Sequence, residues 1–264
     1  MVILITGASS GLGQALAKQL SQKGHIVYGT SRKAAEHPAD YNMLVMDVTQ
    51  AQSVQAAVEQ VMAEQGRLDV LINNAGIGIA GPFEQLEQAS MEHAMQTNFF
   101  GVVHTCQSAI PFMRRQNSGK IINISSIGAL FGLPYRGVYG ATKAAVDVLT
   151  ESLRMELKPF NIQLCSIHAG DIQTNINANR IKNYDPSDPT YKASFEKVYA
   201  AIDADVDKGT PAAVVAAHIV QVVESTHVKR AYRVGKTMQK LSVVAKRILP
   251  ATWFEKIILS YSGM

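Results

Sequence analysis

"VILITGASSGLGQALAKQL", residues 2–20, joins a short apolar run to a glycine-punctuated turn and then to a helical pattern. The opening run is short and rich in β-branched side chains, which reads as a buried strand. Glycines at 7, 11 and 13 allow a tight turn, close approach of backbone to a ligand, and close packing of the next helix on the strand. A helix that begins in such a turn offers unpaired N–H groups and the positive end of its dipole, which suits a diphosphate. An ordinary glycine-rich strand-to-helix turn is the plainer alternative. Its position, in the first strand–helix–strand unit, favours nucleotide binding. The spacing is G-x-x-x-G-x-G preceded by Thr6, not the commoner G-x-G-x-x-G.

The alternation continues along the chain. "VILIT" (2–6), "HIVYGTS" (25–31), "NMLVMD" (42–47), "LDVLIN" (68–73), "GKIINIS" (119–125), "NIQLCSI" (161–167) and "RAYRV" (230–234) are predicted strands. Helical patterns lie near 12–23, 50–65, 90–115, 138–158 and 211–225. Near-continuous apolar strands separated by helices predict an α/β fold, one doubly wound, Rossmann-like parallel β-sheet with helices on both faces. Two regions break the rhythm. Residues 175–210 are polar and interrupt the last crossover, and residues 236–264 mix basic with large apolar side chains. The expected organisation is one domain over 1–235 with a C-terminal helical extension over 236–264.

Composition narrows the function. Of 264 residues 47% are hydrophobic and 17% charged, which is globular and excludes disorder. The net charge of +4 is too mild and scattered for a nucleic-acid binder, and aromatic-plus-basic clusters are missing. No Cys/His spacing suits a metal such as zinc. Two cysteines, Cys106 and Cys165, sit in apolar runs and read as small buried hydrophobes in a reducing, cytoplasmic setting. "MVILITG" lacks the charged and apolar regions of a signal peptide, and no apolar run is long enough to span a membrane.

"YGATK" (139–143) places Tyr139 and Lys143 on one helix face. Taken alone, a phenol packed under a solvated lysine stem is the simpler reading. Three further motifs change that. "TGASSGLG" (6–13), "NNAG" (73–76), "NISS" (123–126) and "YGATK" occur in that order, separated by the expected elements. The sequence thereby resembles the short-chain dehydrogenase/reductase family over roughly residues 1–234, with the tail outside the match.

The resemblance implies roles residue by residue. Tyr139 would exchange a proton with a substrate carbonyl or alcohol. Lys143 would lower the Tyr139 pKa from its ordinary ~10 and hold cofactor ribose hydroxyls. Ser126, thirteen residues before Tyr139, is preferred to Ser125 as the hydroxyl that steadies the substrate oxygen. Asn98 would hold a water linking Lys143 to solvent. Gly7, Ser9, Ser10, Gly11, Leu12 and Gly13 would cradle the cofactor diphosphate. Asp47 and Val48 would meet the adenine, and Asn74, Ala75 and Gly76 the adenosine ribose side. Gly170, Ile172 and Thr174 would contact the nicotinamide carboxamide. Ala169 stands where the family usually has proline, which loosens that turn without removing a chemical group. After the second strand come Ser31, Arg32 and Lys33, where an NAD enzyme carries a carboxylate. This favours NADP(H), against a merely solvated basic loop. His168, at a strand end, reads as structural.

Leu130, Phe131, Leu133, Pro134 and Phe83 suggest an apolar pocket for a steroid-, retinoid- or lipid-like ketone or alcohol, or else simple packing. Residues 175–210 resemble the family's substrate lid. In the tail, Leu241, Val244, Ile248 and Leu249, then Trp253, Phe254, Ile257 and Ile258, predict two amphipathic helices broken at Pro250. That stripe is expected to pack on the enzyme or a neighbouring subunit and to cover the substrate entrance, with weak peripheral membrane contact as the secondary reading. A homodimer or homotetramer through 90–115 and 138–158 is implied by the resemblance. Rival readings are a catalytically idle NADPH sensor, which usually lacks the tyrosine or lysine, and a ketoacyl reductase, which would end soon after the last strand.

Overall fold

The computed structural model describes residues 1–33, 40–173 and 180–264. All seven expected strands form: β1 (Val2–Ile5), β2 (Ile26–Ser31), β3 (Asn42–Val45), β4 (Val70–Asn73), β5 (Gly119–Ser126), β6 (Ile162–Ala169) and β7 (Ala231–Val234). They pair in the order β7-β6-β5-β4-β1-β2-β3, every pair parallel. The winding direction reverses between β1 and β4, so a crevice opens beyond the carboxyl ends of those two strands.

The helices are α1 (Gly11–Gln22), α2 (Ala51–Gln65), α3 (Gln88–Met95), α4 (Gly101–Arg115), α5 (Gly137–Glu156), α6 (Pro189–Asp207), α7 (Ala212–Glu224), α8 (Thr237–Ile248) and α9 (Ala251–Tyr261). Alternation along β1 explains the layers. Ile3 and Ile5 face a core with Leu16 and Leu20 of α1 and Ile219 and Val223 of α7. Val2 and Leu4 face Val58 of α2, Val102 and Ala109 of α4, and Val146 of α5. Each fully buried aliphatic side chain contributes about 1.5–3 kcal/mol, which is why both faces of the strands are apolar.

Four buried polar side chains are linked in one chain. Asn73 donates to Asn123 Oδ1 at 2.8 Å and accepts from Thr105 at 2.7 Å, while Asn123 donates to Thr150 at 2.8 Å. This chain ties α4, β4, β5 and α5 together. From β5, Lys120 donates to the carbonyls of Val223 (2.5 Å) and Ser225 (2.6 Å), capping the carbonyl end of α7. Cys106 and Cys165 are buried and unpaired, and burial pushes both thiols up to about 12.

Three expectations change. The single helix expected over 90–115 is split by a π-helical turn at Gln96–Phe100, between α3 and α4. The stretch 175–210, read as a polar interruption with no helix assigned to it, contains the nineteen-residue α6. Its start is built by Asp188, which accepts from Thr190 N at 2.8 Å, with Pro189 in the first turn. Its Phe195, Val198, Ile202 and Val206 are buried. The tail forms two helices broken at Pro250, as expected, but Val243, Phe254 and Ile258 face inward. Leu241, Val244, Ile248, Trp253 and Ile257 are exposed. The inward row is set by what the body offers, namely the ring of Phe131 against Phe254. Among the described residues no helix is long and apolar enough to cross a membrane.

Gly13 shows how close the first helix lies. A Cβ there would sit 2.2 Å from Gly7 O and 2.5 Å from Asn74 Nδ2. Gly13→Ala is expected to cost about 3 kcal/mol in urea unfolding, at the upper end of ordinary overpacking. An unchanged midpoint would mean that α1 can shift freely.

Candidate active site

The glycine turn is held from across the crevice. Thr6 Oγ1 accepts the backbone N–H groups of Asn74 and Ala75, both at 2.9 Å. In return Asn74 Nδ2 donates to the carbonyls of Thr6 and Gly7, both at 2.9 Å. Gly7 and Gly11 adopt positive φ of 67° and 56°, conformations that favour glycine. Ser10 caps α1 without a side-chain bond, and no acid lies in its first turn, so the helix's free N–H groups face the crevice. An anionic diphosphate fits this cradle.

Ser126 ends β5, and Tyr139 lies in the first turn of α5. Both line the same cleft as Lys143, a space of about 580 Å³. The two serines separate cleanly. Ser126 hydrogen-bonds the Tyr139 side chain and accepts from Gly128 N at 3.0 Å, whereas Ser125 Oγ turns toward the Lys143 carbonyl. Lys143 is buried and donates to Ile124 O at 2.9 Å, and burial lowers its pKa to about 8, partly offset by Asp147.

Tyr139 departs from the expectation that Lys143 governs it. Burial is the largest influence and raises its pKa, while the Ser126 bond, then Arg136 and Arg180, oppose it. The reason is geometric: the ammonium of Lys143 is turned to Ile124 O. The phenol therefore stays protonated at neutral pH, ready to give a proton.

Asn98 sits in the π-helical turn, fully buried and behind the cleft wall. Both of its amide hydrogens are taken, by Ile77 O (2.9 Å) and Thr142 Oγ1 (3.0 Å), and its oxygen accepts from Ile77 N (2.8 Å). These bonds brace the 77 loop against α5. Asn98 Oδ1 and Lys143 Nζ approach the same point, 3.2 and 3.3 Å from where a Cβ on Gly76 would stand.

At the far end, Ser31, Arg32 and Lys33 line the cleft with Asp47 and Val48. Asp47 accepts from Thr49 N (2.9 Å) and Thr49 Oγ1 (2.8 Å), which fixes its carboxylate. Gly7, Ser9, Ser10, Gly11, Leu12, Asn74, Ala75, Gly76, Gly170 and Ile172 also line the cleft. Gly13 lies behind it as a packing residue. Thr174 lies outside the described residues. His168 points away, to Asp147 at 2.9 Å.

The substrate end differs from the apolar pocket read in sequence. Leu130, Phe131, Leu133, Pro134 and Phe83 do not line the cleft; Phe83 is 76% exposed and Phe131 packs on Phe254. Ile77, Ile79, Ile181 and Val206 line it instead, together with Arg136, Asp171 and Arg180. These three charged residues were not singled out in the sequence, because they come from separate segments and carry no motif. Arg180 pairs with Asp203 at 3.0 Å, and burial raises the Asp171 pKa. Gln239 of α8 donates to the Asp171 carboxylate and accepts from its N–H, so the tail holds the turn that lacks the proline.

A serine, a tyrosine and a lysine at one end of a nucleotide-shaped crevice define a dehydrogenase of the short-chain type. The chain belongs to the short chain dehydrogenase family, whose profile matches residues 1–185, and is an oxidoreductase acting on CH–OH or carbonyl groups. It is similar to the 3-ketodihydrosphingosine reductase of Bacteroides thetaiotaomicron, 44% identical over 250 residues, covering 94% of this chain and 93% of that one. Among solved structures it resembles a short-chain dehydrogenase from Streptomyces avermitilis (TM-score 0.80, 28% identity, 97% of this chain and 96% of that one). It also resembles ElxO with NADP bound (TM-score 0.73, 25% identity, 88% and 96%).

Lys143 gives a pH signature. In the folded, coenzyme-free protein it loses its proton near pH 8, in the unfolded chain near 10.5. Between those values the unfolded state binds more protons, so stability rises with pH. Relative to Lys143→Met, the wild type is expected to gain on the order of 3 kcal/mol across that window. Unfolding of both proteins from pH 7 to 10.5 checks this; a constant gap would show that Lys143 is not desolvated.

Proposed function

We propose that this chain is an NADP(H)-dependent reductase of a long-chain, lipid-like ketone, with a ketone of the sphingoid-base type as the leading candidate. The observation that carries the reading is one cleft with Ser126, Tyr139 and Lys143 at one end and Arg32 and Lys33 at the other. The guanidinium of Arg32 suits a 2′-phosphate, which a carboxylate at that place would repel. The similarity to a reductase of 3-ketodihydrosphingosine supports the lipid-like substrate. Ile77, Ile79, Ile181 and Val206 offer apolar walls, while Arg136 and Asp171 offer polar anchors near the reacting group.

When bound, the nicotinamide supplies the hydride that the carbonyl carbon receives. Ser126 donates to the carbonyl oxygen and holds it beside the Tyr139 hydroxyl. Tyr139, kept protonated by burial, gives its proton to that oxygen. The positive charges of Arg136 and Arg180 stabilise the phenolate left behind. Lys143 donates to ribose hydroxyls, Asn98 braces the wall beneath, and α6 with Arg180–Lys182 excludes water on the substrate side.

Residues 1–235 act as the dehydrogenase domain and 236–264 as its extension. Exposed Val148 and Met155 on α5, with Phe100 beside α4, fit a homodimer or homotetramer through these helices. The buried, unpaired thiols suit a cytoplasmic setting. Since a long-chain substrate partitions into lipid, weak peripheral membrane contact through the tail belongs to the same reading.

The test is NADPH oxidation by 3-ketodihydrosphingosine and by ketones graded in chain length. Turnover is expected to rise with chain length, and Tyr139→Phe to lose at least ~10²-fold in kcat while still binding NADPH. Wild-type kcat in that variant would remove Tyr139 from the mechanism. Arg32→Asp is expected to shift preference toward NADH by ~10-fold or more in the ratio of kcat/KM values. A wild-type enzyme that already prefers NADH overturns the coenzyme assignment.

A further inference from the structure

Helices α8 and α9 are fixed to the body by a narrow inward row. Phe254 meets the edge of the Phe131 ring with centroids 5.1 Å apart. Tyr261 donates to Asp205 at 2.5 Å, and Gln239 grips Asp171 at the cleft. These contacts determine which side of the tail is left outside. On α8, Met238, Leu241, Val244 and Ile248 follow one another at three- and four-residue steps and therefore share a face. On α9, Trp253 and Ile257 do the same. Ile248 is 75% exposed and Trp253 65%, although burying either would stabilise the fold by a clear margin. A run of large exposed apolar side chains of this kind marks a surface that meets a partner.

Charge identifies the partner. Residues 236–264 hold five basic side chains and one acidic, a surplus of four. The whole chain has 25 basic and 21 acidic, the same surplus, so the remaining 235 residues are balanced. Among the described residues Lys240, Arg247 and Lys256 have no ion-pair partner. Lys246 lies over the Phe254 ring at 5.2 Å. A second copy meeting this face through a two-fold axis would bring the same positive charge against it, which repels. An anionic lipid surface supplies both what the apolar face lacks and what the unpaired cations attract.

We propose that the outer face of α8 and α9 docks on anionic membrane, with Leu241, Val244, Ile248, Trp253 and Ile257 entering the headgroup–acyl boundary and Lys240, Arg247 and Lys256 on the headgroups. The face lies beside the cleft, because Gln239 of α8 holds Asp171, which lines it. Docking therefore brings the cleft mouth to the lipid from which a long-chain ketone would enter. This deepens the long-chain reading proposed above and shares its premise about where the substrate resides. The binding experiment measures lipid association alone, so either reading can fail without the other.

The full-length protein is sedimented with vesicles of phosphatidylcholine alone and of phosphatidylcholine with a minority of phosphatidylglycerol, at low and high salt. Binding is expected on the anionic vesicles, weakening as salt rises. Ile248→Ser with Trp253→Ser, both at exposed positions, is expected to lose it by ~10-fold or more. Lys240→Glu with Arg247→Glu is expected to lose at least ~20-fold, each basic residue near an anionic surface being worth roughly fivefold. Turnover of a short, water-soluble ketone serves as the folding control and should stay unchanged in both variants. Equal pelleting with neutral and anionic vesicles, or undiminished binding by either variant, overturns the proposal. So does light scattering that shows Ile248→Ser with Trp253→Ser dissociating an oligomer, which would make the face a subunit contact.

Discussion

The clamp between Thr6 and Asn74 spans the crevice beyond the strand ends where the winding of the sheet reverses. There β1 and β4 pair side by side but send their following loops in opposite directions, so nothing in the sheet itself holds the loops together. Four hydrogen bonds do it: two N–H groups of the 73–76 loop to the Thr6 hydroxyl, and the Asn74 amide to two carbonyls of the glycine turn. Each is worth about 1 kcal/mol net, but losing one would leave a buried polar group unpaired, which costs more. The width of the crevice, the aim of the α1 N-terminus and the closeness of Gly7 to Ala75 all follow from this arrangement.

The same loop continues into the chemistry. Gly76 passes between Asn98 and Lys143 with little room for a side chain, and Ile77 is bonded through both its N–H and its C=O to Asn98. Behind these lie a buried lysine and a half-buried tyrosine. Burying them works against their charged forms, which depresses the lysine and raises the phenol. A site of this kind holds strain in its ionisation states, and the fold tolerates it because the two cores on either face of the sheet are continuous and apolar.

The parts outside the sheet tune what the site receives. Helix α6 lines the cleft through Val206 and pairs its Asp203 with Arg180. The turn after β6 has alanine where the resemblance expects proline, so its backbone has more freedom than a proline would leave it. Gln239 makes up for this from the tail by bonding both the N–H and the carboxylate of Asp171. Cofactor turn, substrate wall and tail are thus mechanically linked.

The seven strands and most helices were legible in the sequence, because a sheet covered on both faces demands uninterrupted apolar runs, and "VILIT" or "QLCSI" can satisfy little else. The glycine turn, Ser126, Tyr139 and Lys143 were legible because four motifs, in order, resemble those of the short-chain dehydrogenases. Helix α6 was missed, because a polar composition concealed the start signal of Asp188-Pro189 and the spacing of its buried residues. The π-helical turn at Gln96–Phe100 carries no periodicity of its own; it exists because Asn98 must reach both Ile77 and Thr142. Which of Ser125 and Ser126 faces Tyr139 depended on the pleat of β5. Arg136, Asp171 and Arg180 meet only once three separate segments are folded against one another. The tail has large apolar residues on two sides, so its pattern predicted helices but not which side is buried. Phe131 and Asp205, far away in the chain, decided that, because helix orientation is set by the surface it lands on and not by the helix itself.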